Sequence, residues 1–291
     1  MFKIYFIGVG GGVPNKRGLP AYLIRREGLE VLLDCGEGTQ YRMMEYNLSF
    51  MKLRVIGISH MHGDHVLGLP GMIETMGMYS RKEELLIIGP KELKDFLEDA
   101  FKKTHFYPDF KITFTDHYED QEVTITTFRT CHTIESYGFL VKERDKLKID
   151  AEKLRKEGVH DWRIIRKLKE GKRVEIGGKV LVPEDYLYTK KGLTIAYTGD
   201  TAACNSVIES VKGVDLLLHD STFLNEQSAS EYGHSNSKDA AEVALRANVK
   251  RLALIHISPR YDDVSPLLWE AKRVFSKTFI PEPFSYFILE A

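Results

Sequence analysis

Apolar positions along this chain follow two periods. Runs of strand length, alternating or continuous, occupy 2–9, 21–26, 30–34, 53–59, 85–88, 111–116, 122–128, 136–142, 193–198, 214–218, 251–256 and 284–289. Successive strand side chains point to opposite faces, so such runs predict strands with at least one buried face. Helical spacing appears instead over 64–79, 90–103, 202–211, 236–247 and 266–275. Strands come first as meanders and then alternate with helices. That order predicts an α/β fold with two sheets packed face to face and helices outside. No solenoid-type repeat is visible.

One stretch breaks the pattern. Residues 142–191 are poor in strand signals and carry 16 Lys and Arg against 10 Asp and Glu, a net +6 in a chain whose total is −1. A basic insertion on an acidic body suits contact with an RNA backbone. A solvated helical hairpin of mixed charge is the simpler account on composition alone. With the whole chain near neutrality, overall attraction for nucleic acid is absent, and any such binding needs a local patch.

The chain has 291 residues, 43% of them hydrophobic, enough for one large core or two fused halves. No run reaches the length of a membrane span and no signal peptide precedes the first strand, so a cytoplasmic protein is expected. Cys35, Cys131 and Cys204 form an odd, sparse set without a CxxC spacing. They read as buried small residues, unlike a secreted disulfide framework, with Cys131 beside His132.

The most informative chemistry lies in His60-Met61-His62-Gly63-Asp64-His65. These residues follow a strand and precede a helix, so their side chains can converge instead of alternating. Imidazole and carboxylate suit zinc and other first-row metals. His60 and His62 suit one ion; Asp64 and His65, displaced by the turn at Gly63, suit a second. Two ions need more ligands. His132, Asp200 and His256 each stand at the end of a predicted strand, and a lone histidine there is more often a hydrogen-bonded one than a ligand. Together with the His60–His65 loop, the set is far more specific.

These motifs resemble the metallo-β-lactamase superfamily and, more narrowly, its ribonuclease Z family. The narrower resemblance rests on Phe6–Gly10 followed by Gly12-Val13-Pro14, Leu33–Gln40, Ser59–Gly71, Tyr197–Thr201, Leu218–Phe223, Gly233-His234-Ser235 and Ile255–Tyr261. It spans nearly the whole chain. The resemblance implies a single domain over 1–291, a four-layer αββα sandwich of the metallo-β-lactamase type, with 142–191 as an inserted, protruding tRNA-binding arm. It implies that His60, His62 and His132 hold one zinc and Asp64, His65 and His256 the other, with Asp200 bridging. Manganese or iron also suits such ligands. A metal pair of this kind activates a shared water and clamps an in-line displacement at phosphorus.

The same resemblance implies that Asp64 also accepts a proton, His234 acts as general acid, and Asp220 tunes His234. The implied activity is removal of the 3′ trailer from precursor tRNA, leaving a tRNA 3′-hydroxyl and a trailer 5′-phosphate, by a homodimer. Candidate substrate contacts are Lys16 and Arg17, in a loop that partly matches the family's, and Trp162, Arg163, Arg166 and Lys167 in the arm. The chain departs from the family in having Asp220 for Glu, Asn236 for Thr, and Gly158–Trp162 in place of a Gly-Pro-rich arm tip. Asn236 or Ser235 also suits a helix cap better than His234 does. Two other readings compete: a small-molecule metallo-hydrolase (phosphodiesterase, lactonase or thioesterase), and a non-catalytic RNA-binding protein with structural zinc. The Cys-free ligand set speaks against the last, since structural zinc sites usually use cysteine.

Overall fold

The computed structural model describes residues 1–224 and 229–290. Each predicted strand is present. β1 (Phe2–Gly8), β2 (Ala21–Arg26), β3 (Leu29–Leu33), β4 (Val55–Gly57), β5 (Leu85–Ile88) and β6 (Ile112–Thr115) belong to a first sheet. β7 (Tyr118–Glu119), β8 (Val123–Arg129) and β9 (Tyr137–Glu143) start a second. The charged segment adds β10 (Lys146–Ile149), β11 (Val174–Ile176), β12 (Lys179–Leu181) and β13 (Leu187–Lys190). β14 (Thr194–Tyr197), β15 (Leu216–Asp220), β16 (Leu252–Ile255) and β17 (Thr278–Phe279) complete the second sheet, and β18 (Ser285–Leu289) returns to the first. The sheet orders are β18-β1-β2-β3-β4-β5-β6 and β17-β16-β15-β14-β9-β8-β7.

The helices are α1 (Thr39–Glu45), α2 (Gly63–Val66), α3 (Gly68–Met78), α4 (Glu92–Thr104), α5 (Ala151–Lys156), α6 (Trp162–Lys169), α7 (Asn205–Ser210), α8 (Ser237–Arg246) and α9 (Ser265–Val274). Strand alternation dictates the layers. Phe2, Ile4 and Phe6 of β1 pack with Phe139, Ile195, Tyr197 and Leu218 between the sheets. Tyr5 and Ile7, on the other face, meet Leu69, Met72 and Ile73 of α3 and Leu93 and Leu97 of α4. In the second sheet Ala196, Leu217, Leu252 and Leu254 turn outward onto Val207 of α7 and Ala240, Ala241 and Ala244 of α8. The result is the expected αββα sandwich. Both sheets are covered on both faces, which is why most strands read as nearly continuous apolar runs.

Two helix expectations change. The helix expected over 64–79 is two, α2 and α3, meeting at Leu67. There the backbone is tied sideways: Gly68 N donates to Cys35 O (2.9 Å) and Cys35 N to His65 O (2.8 Å). α1 gave no periodic signal because it buries only Thr39 and Met43. Asn236, as expected, caps α8, in a capping box with Asp239.

The chain divides into two compact units, Met1–Lys142 with Leu193–Ala291, and Glu143–Gly192. The second unit is not a helical hairpin. It holds two two-stranded sheets, β10–β13 and β11–β12, with α5 and α6. Leu154, Val159, Leu168, Leu181 and Tyr186 form its own small core. Its strands give little sequence signal because each is only three or four residues long, and β10 and β11 interleave apolar residues with lysine or glutamate. Among the described residues, no helix is long and apolar enough to cross a membrane.

Candidate metal centre

Parallel pairing fixes where the site forms. β3 pairs with β4, and β14, β15 and β16 pair in parallel, so their carboxyl ends line up along one edge of each sheet. Asp34 follows β3, the His60–His65 loop follows β4, Asp200 follows β14 and His256 follows β16. His132 lies in the β8–β9 connection. The structure brings all seven proposed ligands together.

Two groups form around Asp200. His62 Nδ1 lies 3.1 Å from His60 Nε2 and 3.0 Å from His132 Nε2. Asp200 Oδ2 faces this trio, 3.6 Å from His60 Nε2 and 4.0 Å from His132 Nε2. Its Oδ1 faces the other group, 3.3 Å from both His65 Nε2 and His256 Nε2. Asp64 Oδ2 closes that group, 3.5 Å from His65 Nε2 and 3.2 Å from His256 Nε2.

In four of the five histidines the ring nitrogen turned away from the centre is occupied. His60 Nδ1 meets Ser59 Oγ (2.9 Å), His65 Nδ1 meets Asp34 Oδ2 (2.6 Å), His132 Nδ1 meets Gly233 O (2.7 Å) and His256 Nδ1 meets Thr222 Oγ1 (2.8 Å). Such outer partners set ring orientation and tautomer in metal sites. Asp200 Oδ1 is buried and accepts no hydrogen bond among the described residues. A buried carboxylate oxygen is costly without a donor or a cation. This orphaned oxygen, ringed by imidazole nitrogens, fits a pair of cations bridged by Asp200.

The electrostatics agree. Burial, reinforced by the neighbouring His65, holds His60 well below its ordinary range, and burial likewise lowers His62 and His132. All three are therefore neutral, the form that ligates. Burial also opposes charge on His65, but Asp200 and Asp34 outweigh it and raise the ring well above its usual value. Positive charge is thus favoured among Asp34, Asp64 and Asp200. Asp64 is destabilised by burial, yet the His256 hydrogen bond and nearby His65 hold it below the usual carboxylate range. Gly12 N adds a 2.8 Å hydrogen bond to its Oδ2.

His234 stands at the rim. Its ring stacks on His256 at 13°, with centroids 5.3 Å apart. Its Nδ1 lies 2.8 Å from Asp220 Oδ2. Burial pulls the His234 pKa down, but the Asp220 charge and hydrogen bond, with Asp200, push it up to about 9. Asp220 is buried, and Thr201 N, Thr222 N and Thr222 Oγ1 all donate to it. Despite its short side chain, it reaches His234.

The substrate candidates divide. Lys16 is exposed, 3.6 Å from Asp262. Arg17 is buried, and its guanidinium donates to the Tyr261 and Asp262 carbonyls. It pins one loop to another instead of offering a free charge. In α6, Ile164, Ile165 and Leu168 turn toward the small core, leaving Trp162, Arg163, Arg166 and Lys167 exposed. Trp162 is 64% exposed beside Arg163, and Arg166 Nε pairs with Glu170 at 3.0 Å.

Two sequence readings need amendment. Cys35 is buried as expected, but Cys131 and Cys204 are joined in a disulfide. Their separation of 73 residues hid the pairing. Asp34, Ser59 and Thr222 were not singled out as supports for the histidines. No local pattern marks Asp34 and Ser59: parallel pairing sets Leu33 opposite Gly57, and the residues that follow become neighbours only in the fold.

Comparison with known proteins follows the same lines. Residues 2–164 match the family described as anti-Pycsar protein Apyc1, and 185–257 the beta-lactamase superfamily domain. The chain is 71% identical over 289 residues to ribonuclease Z of Sulfurisphaera tokodaii, covering 99% of each. It is 69% identical over 290 residues to ribonuclease Z of Sulfolobus acidocaldarius, covering 100% of this chain and 99% of that one. Among solved structures, the short form of human tRNase Z aligns with a TM-score of 0.73 at 25% identity, over 99% of this chain and 100% of its own. A metallo-β-lactamase fold protein from Bacillus subtilis aligns at 0.71 and 22% identity over 98% of each chain, a likeness of fold.

Proposed function

The chain belongs to the ribonuclease Z family of the β-lactamase superfamily, with an Apyc1-family match over residues 2–164, and from that premise we propose a two-zinc tRNA 3′-processing endoribonuclease. The observation that carries the two-cation reading is Asp200, whose two oxygens face separate ligand groups while Oδ1 lacks a donor among the described residues. His60, His62 and His132 would hold one cation and Asp64, His65 and His256 the other, with Asp200 shared. When bound, such a pair supplies charge stabilisation at the phosphate and an acidified water.

The chain's own residues do the rest. Asp64, kept ionised by its neighbours, orients the attacking water through its carboxylate. His234, kept protonated by Asp220, presents Nε2 to the ribose 3′ oxygen and gives it a proton as the P–O3′ bond breaks. The tRNA leaves with a 3′-hydroxyl and the trailer with a 5′-phosphate. The unit Glu143–Gly192 grips the tRNA by shape and phosphate charge, with the exposed face of α6 as its contact. The enzyme works as a homodimer in the cytoplasm. Exposed Tyr41 and Met44 of α1 and Met78 of α3 support the first point, since large apolar groups in water favour association.

The test is incubation with an end-labelled precursor tRNA, mapping both product ends, beside an Asp64→Ala control. One metal-dependent cut at the 3′ end of the mature tRNA is expected, and none with the variant. Turnover of a small phosphodiester with precursor tRNA left intact would refute the assignment.

A further inference from the structure

We propose that the Cys131–Cys204 disulfide is a reducible clamp that sets how firmly the His60, His62 and His132 group holds its cation. This rests on the two-cation reading of the site. Cys131 immediately precedes His132, and Cys204 stands at the start of α7, four residues after Asp200. The covalent link therefore joins the two loops that carry these ligands.

Hydrogen bonds tie the same loops. Cys131 N donates to Thr201 Oγ1 (3.0 Å), Ala202 N to Cys131 O (2.7 Å) and Thr130 Oγ1 to Asp200 O (3.4 Å). Each is a contact between connecting segments, not part of a sheet ladder. The disulfide makes this arrangement covalent, so His132 and Asp200 cannot drift apart while it is closed.

The clamp acts unequally on the two groups. His132 belongs to the first group alone, and it lies within the covalent loop closed by the disulfide. Asp200, shared by both groups, also lies within it, so the loop holds two of the first group's side chains but only the shared Asp200 of the second, with Asp64, His65 and His256 outside. Their outward partners Asp34 and Thr222 also lie outside it. Opening the bond therefore loosens the first group more than the second.

The chemistry is accessible. Cys131 and Cys204 are only half-buried, with Ser206 Oγ 3.6 and 3.2 Å from their sulfurs. Cys35, the remaining thiol, is sealed in the core and takes no part in exchange. A dithiol reductant is oxidised to its own disulfide as its two hydrogens pass to the Cys131 and Cys204 sulfurs. A disulfide oxidant reverses the step. Cation loading thereby becomes responsive to thiol redox state.

The test uses the zinc-loaded chain before and after treatment with a trialkylphosphine, which is then removed. The phosphine takes the oxygen of water to become its oxide, and the disulfide becomes two thiols. Thiol titration in denaturant should give one thiol before treatment and three after. Half of the bound zinc should then pass to a colorimetric chelator about tenfold faster than from the oxidised chain. The Cys131→Ser/Cys204→Ser chain should release zinc like the reduced form and ignore the phosphine. Three thiols before treatment, or equal release from the oxidised and reduced chain, overturn the clamp. Failure of either form to bind zinc would overturn the two-cation reading as well, whereas two ions released alike would sink the clamp alone.

Discussion

His234 Nδ1 lies 2.8 Å from Asp220 Oδ2, and that carboxylate is itself held by Thr201 and Thr222. The pairing orients the ring and raises its pKa to about 9. A general acid must be protonated, so the role proposed for His234 predicts that activity falls as pH rises through its pKa. Removing the Asp220 charge lowers that pKa. Asp220→Asn should therefore move the descending limb of the pH–kcat profile to lower pH and reduce kcat about 10- to 100-fold below it. An unmoved limb would take Asp220 out of this role.

The acid role proposed for His234 makes it matter only where the leaving group needs a proton. A ribose 3′ oxygen leaves poorly as an alkoxide, whereas p-nitrophenolate leaves readily. His234→Ala should slow cleavage of precursor tRNA by about 100- to 10,000-fold. Hydrolysis of bis-p-nitrophenyl phosphate should lose much less. Equal losses on both substrates would mean that His234 supports the site instead of donating a proton.

Asp200 and His132 should fail differently. Asp200 faces both ligand groups, His132 one. Asp200→Ala should cost both cations, and His132→Ala chiefly one. Elemental analysis after dialysis reads the stoichiometry directly, against two ions for the unaltered chain. Two ions retained by Asp200→Ala would remove it as the bridge.

The unit Glu143–Gly192 can be excised cleanly, because Lys142 and Thr194 face each other in the antiparallel β9–β14 pair. A short turn joining them preserves the second sheet. Loss of the phosphate contacts proposed for it should weaken cleavage of precursor tRNA by about a hundredfold or more. Turnover of bis-p-nitrophenyl phosphate should stay near the original value. If both fall together, the unit supports the body's folding and its role in RNA binding is not established.

Sequence carried the sandwich and the cluster of His and Asp side chains that the fold draws together, because both leave short-range signals. Phe2, Ile4 and Phe6 alternate with Tyr5 and Ile7, which is enough to predict a two-faced strand. His60, His62, Asp64 and His65 fall within one turn, and His132, Asp200 and His256 mark strand ends. What escaped depends on contacts between distant segments. Asp34 meets His65 only through parallel pairing of β3 and β4, and Cys131 meets Cys204 only once His132 and Asp200 share a centre. Arg17, a candidate substrate contact by sequence, is tied to the 261–262 carbonyls, which only the fold brings near it. The second unit's small core draws Leu154, Leu168, Leu181 and Tyr186 from separate short elements, so no one stretch of sequence announces it.

Gly11 and Gly12 make a final contrast. A Cβ at Gly11 would fall on the imidazole of His256, although the backbone there is not left-handed. His256 has no room to yield: Thr222 Oγ1 holds its Nδ1, and its Nε2 sits 3.2 Å from Asp64 and 3.3 Å from Asp200. Gly11→Ala should therefore displace this proposed ligand and cut activity and zinc affinity about 10- to 100-fold, with little other change in fold. Gly12 is the reverse case, with φ of +81° and open space where its Cβ would sit. Gly12→Ala should cost about 1–2 kcal/mol of stability from backbone strain while keeping its N–H on Asp64 and both cations. Zinc titration and thermal melting of the two variants separate the effects. A Gly11→Ala chain that binds two zinc ions as tightly as the original would show that the glycine loop does not hold His256 in place.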